Sequence, residues 1–310
     1  MIELNGLTKR FGPVTAVDGL SFTVRPGRVT GFLGPNGAGK TTTMRLILGL
    51  DVPTSGTALV AGRRYRQLVR PLRQVGSLLD ATAVHGARTA YDHLLSVAVS
   101  NGIRRGRVPE VLELAGLESV AAKRIRGFSL GMKHRLGIAA ALLGEPPVLM
   151  FDEPVNGLDA DGVRWVRQLL RQLAADGHTV LVSSHLMSEM ALTADHLVVI
   201  GRGKLLADVP TRSLTKSSAR ADVLVRSPRA GELAELLTAR GAAVAPQDDG
   251  GLAVTGMDAP AIADLAAAHA IAVHELAPRQ PSLEQAYLDL TAASTDYRAA
   301  TTAARAEAGS

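Results

Sequence analysis

Two hydrophobic periods alternate along this chain. Residues 2–24 alternate apolar and polar positions around Gly6, Gly12 and Gly19, which predicts short antiparallel strands separated by turns. From Val29 that pattern stops. Residues 29–33 form a continuous apolar run, the form of a strand covered on both faces, and a glycine-rich loop ends it. Apolar residues at helical spacing follow over residues 42–50. Further apolar runs predict strands at 57–60, 75–79, 148–151, 179–183 and 196–200, and the stretch between Asp92 and Leu143 reads as mainly helical. Strands alternating with helices predict an α/β fold with a largely parallel, doubly covered sheet. The helix-rich middle, about residues 85–145, predicts a subdomain inserted between two of its strands.

Near Leu214 the texture changes. Residues 215–221 are rich in Ser, Lys and Ala without periodicity and are expected to be a linker. Beyond them the pattern predicts strand 222–226, helix 231–240, strands 242–245 and 252–255, helix 259–269 and strand 271–275, a βαββαβ order that implies a small ferredoxin-like α+β domain. A last helix is expected at 282–291, with Leu283, Ala286, Tyr287 and Leu290 on one face, and the Ala- and Thr-rich residues 292–310 are expected to be a disordered tail. The expected organisation is a domain over 1–214, the linker, an accessory domain over 222–291 and the tail. A chain of 310 residues has room for about two domains, each with its own core.

Composition narrows the chemistry. With no Cys there are no disulfides or thiolate metal sites, so any metal is held by oxygen or imidazole. The net charge of +5 favours anionic partners as a class. Aromatic residues make up 3% of the chain, too few for the stacking platforms that hold single-stranded nucleic acid, and no nucleic acid partner is expected. Neither a secretory leader nor an apolar run of about 18 residues or more is read, so any service to a membrane is expected from its surface, through a partner that spans it. The basic clusters Arg63, Arg64, Arg66, Arg70, Arg73 and Lys123, Arg124, Arg126 read as solvated faces, and Trp165 reads as packing.

The strongest local signal is Gly34-Pro35-Asn36-Gly37-Ala38-Gly39-Lys40-Thr41, followed by Thr42. It fits G-x-x-x-x-G-K-S/T and lies between a predicted strand and a predicted helix, the context that this phosphate-binding motif requires. Glycines let successive backbone N–H groups turn inward on an anion, and the positive end of the following helix adds to the attraction. Lys40 can reach β- and γ-phosphate oxygens, and the Thr41 hydroxyl can ligate Mg²⁺. A second signal is the apolar run 148–151 that ends in Asp152-Glu153, a buried strand delivering carboxylates at its carboxyl edge. Adjacent strand residues point to opposite sides, so the two acids are expected to play different roles. Asp152 holds Mg²⁺, through a bound water, and Glu153 is the general base.

These features, with Asn156-Gly157-Leu158-Asp159, His185 after a strand and Phe128-Ser129-Leu130-Gly131-Met132, stand in an order and spacing that resembles the ATP-binding subunit of an ATP-binding-cassette (ABC) transporter over about residues 1–215, roughly two-thirds of the chain. The resemblance implies a P-loop NTPase cassette over 1–214 with N-terminal antiparallel strands and an inserted helical subdomain. It implies that ATP, with Mg²⁺, is hydrolysed to ADP and phosphate at the interface of two copies arranged head to tail. It also implies a separate integral-membrane permease and a cytoplasmic location, peripheral on the inner face of the cell membrane. The signature residues Ser129, Leu130, Gly131 and Met132 would face the γ-phosphate of ATP held by the partner copy. His185 would be the switch histidine near the attacking water, Asp159 would tie the two cassettes together, and Phe11 would stack on adenine. Asp80 stands where the family has a glutamine for Mg²⁺ and could reach the metal only through water or after loop movement. Leu130 and Met132 replace the commoner Gly and Gln, and Ala160 replaces a Pro. The segment Leu78-Leu79-Asp80-Ala81 together with the signature resembles the daunorubicin- or bacitracin-type export subgroup, which moves drugs, antibiotics, lantibiotics and other peptides. Two other expectations compete with it: a non-transport ABC ATPase acting on ribosomes or DNA, and a nucleotide-gated module with little turnover.

Overall fold

A computed structural model describes residues 1–213, 222–247, 249–279 and 287. The linker 215–221, the tail 292–310 and, apart from Tyr287, the helix expected at 282–291 lie outside the described residues. The chain divides into two compact units, Met1–Thr211 and Arg212–Ala292.

In the first unit, β1 (Ile2–Phe11) and β2 (Val14–Val24) form one long antiparallel hairpin. Turns were expected at Gly6 and Gly19, but only Gly12 lies in a turn between strands. The other two glycines, at φ 57° and 65°, sit where the β1–β2 register slips, so the extra residues are absorbed as bulges in continuous strands. The chain then runs through β3 (Arg28–Leu33) and α1 (Lys40–Ile47) to β4 (Ser55–Val60), which pairs with the free side of β1.

The main sheet adds β5 (Val75–Leu78), β6 (Val148–Asp152), β7 (Thr179–Ser184), β8 (His196–Gly201) and β9 (Lys204–Pro210), in the order β5-β6-β7-β3-β8-β9. Every pairing is parallel except β8 with β9. The apolar-run pattern does not reveal β9, because its largely exposed residues, among them Lys204, Asp208 and Pro210, suit a sheet edge instead of the core. The helices α5 (Ala160–Ala175) and α6 (Met187–Thr193) complete the crossovers on this sheet. One core joins both sheets and α1: Ile2, Leu4 and Leu20 pack with Phe32, Met44, Met150 and Leu181.

Between β5 and β6 lies the helical insertion: α2 (Ala90–Ser100), α3 (Arg107–Leu114) and α4 (Leu130–Leu142). Thr89 starts α2 by accepting from the Asp92 N–H at 3.0 Å. The far end of α4 is fastened to the sheet through two glycines. A Cβ on Gly76 would lie 2.0 Å from the Ala141 carbonyl oxygen, and one on Gly137 2.5 Å from Leu78 Cδ1. The Gly76→Ala variant is expected to lose about 2–3 kcal/mol of stability, because backbone and not a flexible side chain stands in the way. An unchanged melting midpoint would show that α4 does not press on β5.

The second unit holds β10 (Asp222–Arg226), α7 (Ala230–Ala239), β11 (Ala243–Pro246), β12 (Leu252–Thr255), α8 (Ala259–Ala268) and β13 (Glu275–Arg279). Its sheet runs β11-β12-β10-β13, antiparallel throughout, the ferredoxin-like arrangement. Asp258 caps α8 by accepting from the Ala261 N–H at 3.0 Å. The last strand begins four residues later than the pattern predicts, at Glu275 and not Ile271. Ile271 is buried in this unit's own core with Val225, Leu233, Val254 and Ile262. Register with β10 selects Glu275 opposite Arg226, and the edge position tolerates Pro278.

Candidate functional site

The residues after β3 turn back on themselves only because glycine allows it. Gly37 and Gly39 have φ 80° and 104°. A Cβ on Gly39 would lie 2.4 Å from the Ala16 carbonyl oxygen, and one on Gly34 2.6 Å from that of Ile200. Gly39 leads into α1 without a side-chain cap, and no acidic residue occupies the first turn. The first N–H groups of α1 are therefore left for a ligand, with the helix dipole favouring an anion. Residues 35–42, with Ala16, Asp152 and Glu153, line one concave pocket. Asn36, Gly37, Ala38, Gly39, Lys40, Thr41 and Thr42 thus come together as expected from the motif, while Gly34 does not line the pocket but its carbonyl oxygen accepts from Lys40 Nζ.

Lys40 is 7% exposed; its Nζ donates to the Gly34 carbonyl oxygen at 2.7 Å and lies 3.5 Å from Glu153 Oε1. The Thr41 hydroxyl donates to Asp152 Oδ2 at 2.6 Å. His185 Nδ1 lies 2.9 Å from Glu153 Oε2. Asp152 and Glu153 were expected to diverge as neighbours on a strand, yet both line the same pocket. Strand β6 ends at Asp152, and Glu153 takes φ 50°, a left-handed conformation that costs a non-glycine residue about 1–3 kcal/mol and turns its carboxylate back over the phosphate loop.

Two supports escaped the sequence reading. The Ser183 hydroxyl donates to Asp152 Oδ1 and accepts from the Glu153 N–H at 2.9 Å, so one side chain orients both acids. Ser183 is opposite Asp152 in the β6–β7 register, a relation visible only once those strands are known neighbours. Gly203, in the turn between β8 and β9, donates its N–H to Ala38 O and accepts from the Asp18 N–H, both at 2.9 Å, bracing the loop against β2. The tripeptide Gly201-Arg202-Gly203 marks the turn but not what it touches.

Other expected site residues stand apart from this pocket's walls. Phe11 is 50% exposed at the end of β1, with Lys9 Nζ 4.8 Å from its ring centroid. Ser129 caps α4 by accepting from the Met132 N–H at 3.2 Å, which places Leu130, Gly131 and Met132 in the first helical turn. Asp159 caps α5 by accepting from the Gly162 N–H at 2.8 Å. Asp80 is directed elsewhere: its Oδ1 accepts from the Thr82 N–H at 2.7 Å and the Thr82 hydroxyl at 2.6 Å. Those bonds hold its carboxyl below the usual aspartate range, and the side chain closes its own loop instead of lining the phosphate pocket.

The donor set suits a hard divalent cation that brings ligands with it. Among the described residues no group of three or more His, Cys, Asp or Glu could hold a metal alone. The paired hydroxyl and carboxylate of Thr41 and Asp152 match the one or two protein oxygens that Mg²⁺ takes when phosphates and water supply the rest.

Comparison with known proteins agrees with this geometry. Residues 17–156 match a family profile described as ABC transporter, and residues 221–284 match a domain of unknown function. The bacitracin transport ATP-binding protein BcrA of Bacillus licheniformis is 42% identical over 219 residues, covering 70% of this chain and 72% of that protein. The lantibiotic transport ATP-binding protein SrtF of Streptococcus pyogenes is 34% identical over 208 residues, covering 67% and 90%. A solved ATP-binding subunit of an ABC transporter superposes with a TM-score of 0.64 at 26% identity, over 70% of this chain and 92% of that one. With its phosphate cradle, its paired carboxylates and relatives of this extent, the chain belongs to the ATP-binding proteins of ABC transporters.

Proposed function

We propose that this chain is the ATP-hydrolysing subunit of an exporter, driving a separate membrane-spanning permease that moves an antibiotic-like or peptide compound. The carrying observation is Glu153, held between Lys40 and His185 at the mouth of the phosphate cradle. The export assignment draws on relatives named for bacitracin and lantibiotic transport. Among the described residues no helix is long and apolar enough to cross a membrane. In this scheme the permease anchors the pair, with this chain on the cytoplasmic face.

The residues divide the work by charge and position. The N–H groups at the start of α1 and the Lys40 ammonium bind the β- and γ-phosphates. Thr41 and Asp152 would hold Mg²⁺, which supplies charge neutralisation on phosphate oxygens. Glu153 accepts the proton of the attacking water, and His185, donating from Nδ1, fixes that carboxylate's orientation. The strained backbone at Glu153 and the Ser183 bridge keep the base from swinging away. A second copy contributes Ser129, Gly131 and Asp159 across a head-to-tail interface. ATP then closes the dimer, hydrolysis and product release open it, and the permease follows.

Extraction of the chain from membranes in mild detergent tests this reading. A multi-spanning protein is expected to accompany it in equal amount, and the pair should hydrolyse ATP faster when the transported compound is added. Recovery on ribosomes, with no membrane partner, would overturn it.

A further inference from the structure

The first turn of α4 meets the loop that leads into α5 through two leucines and two glycines. A Cβ on Gly157 would lie 2.3 Å from Leu130 Cδ2, and one on Gly131 3.1 Å from Leu158 Cδ2. Each leucine fills the space that the opposite glycine leaves open. Further along the same two helices, the Arg135 guanidinium lies 4.5 Å from the centroid of the Trp165 ring, and Arg135 also donates to the Ala115 carbonyl oxygen at 3.1 Å. Trp165 is therefore more than packing: it joins the helical insertion to the helix that follows the acidic pair.

The leucine end of this contact is tied closely to the chemistry. The Asn156 N–H donates to Glu153 O and the Leu158 N–H donates to Val155 O, both at 3.2 Å. These two tight turns leave little slack between Glu153 and Leu158. Leu130, meanwhile, is 44% exposed although one side of it rests on Gly157.

We propose that Leu130 is a positioning residue. Seated on Gly157, it sets the loop 155–159 and, through its two turns, the Glu153 carboxylate of the same chain. A nucleotide arriving at the main chain of the Ser129–Met132 turn in the closed dimer is thereby registered at the neighbouring base. This rests on the ATPase reading above.

Steady-state hydrolysis across ATP concentrations tests it, in the parental chain, Leu130→Ala, Leu130→Met and Gly157→Ala alone and combined with Leu130→Ala. Emission from Trp165, the only tryptophan, reports that the two helices remain packed. The Leu130→Ala variant is expected to lose about tenfold in kcat with KM within about twofold, and Leu130→Met to recover at least about half of the parental kcat. In the parental background Gly157→Ala is expected to lower kcat by about tenfold or more, but by less than about threefold once Leu130 is alanine, since the left-handed backbone strain is common to both and only the clash is removed. Should Leu130→Ala shift the emission, Leu130→Val takes its place in the cycle. An unchanged kcat in the leucine variant, a loss confined to KM, or a Gly157→Ala effect of equal size in both backgrounds would overturn the proposal. A folded parental chain that binds ATP and turns none over would instead bring down the ATPase reading.

Discussion

Replacing Lys40 by alanine is expected to weaken ATP binding by about a thousandfold. Among the residues lining the phosphate pocket Lys40 is the only cation, set against two carboxylates. Charge-assisted hydrogen bonds contribute about 1.5–3 kcal/mol each, so losing contacts to two phosphates removes about 4 kcal/mol, or three powers of ten. The true loss tends toward the upper end, because Asp152 and Glu153 would then meet a triphosphate with no side-chain counter-charge. Lys40 is nearly buried and already positioned by the Gly34 carbonyl oxygen, so little ordering cost offsets its gain on binding. Calorimetry with ATP and Mg²⁺ on folded protein decides the matter: an affinity within about threefold of the parental value would mean that the triphosphate sits elsewhere.

Glu153→Gln separates binding from chemistry. The amide keeps one acceptor oxygen, enough for its contact with Lys40 or with His185 but not both, while the loop N–H groups and Lys40 that bind the phosphates are unchanged, so ATP affinity is expected to stay within a few-fold. What disappears is the proton acceptor, and general-base catalysis is worth about 10² to 10⁴ in rate. Phosphate release should fall by that much. Since closure precedes hydrolysis, the variant should also accumulate as an ATP-bound dimer, seen as a shift in size on adding nucleotide. Parental turnover in this variant would remove Glu153 from the role of base.

Sequence reading succeeds where chemistry and geometry are contiguous. Gly34 to Thr41 specify a strand exit, an inward-facing loop and a helix start within one short segment, and the structure adds the Ala16 and Ile200 carbonyls as the backbone walls that exclude side chains and the Gly203 N–H that holds Ala38. The apolar run 148–151 likewise announces a buried strand that ends in acids. Reading fails where a residue's role depends on which strand lies beside it. Ser183 looks like any strand-end serine until β7 is placed next to β6. For Asp80 the unread relation is local instead: its carboxylate accepts from Thr82, two residues on, which residue types alone do not announce. The strand alternation expected for Asp152 and Glu153 broke down because a non-glycine residue adopted φ 50°, which nothing in its side chain advertises.

The order of amino acids alone is thus enough for the phosphate cradle, the identity of the two acids and the βαββαβ order of the second unit, because each follows from local periodicity or from a motif whose atoms are covalent neighbours. Tertiary packing decided that both acids face one pocket, that Ser183 and Gly203 brace it, and that Leu130 and Leu158 close over Gly157 and Gly131. Those relations depend on strand register and on gaps only a few ångströms wide between segments distant in the chain, and close packing, not composition, selects among the alternatives.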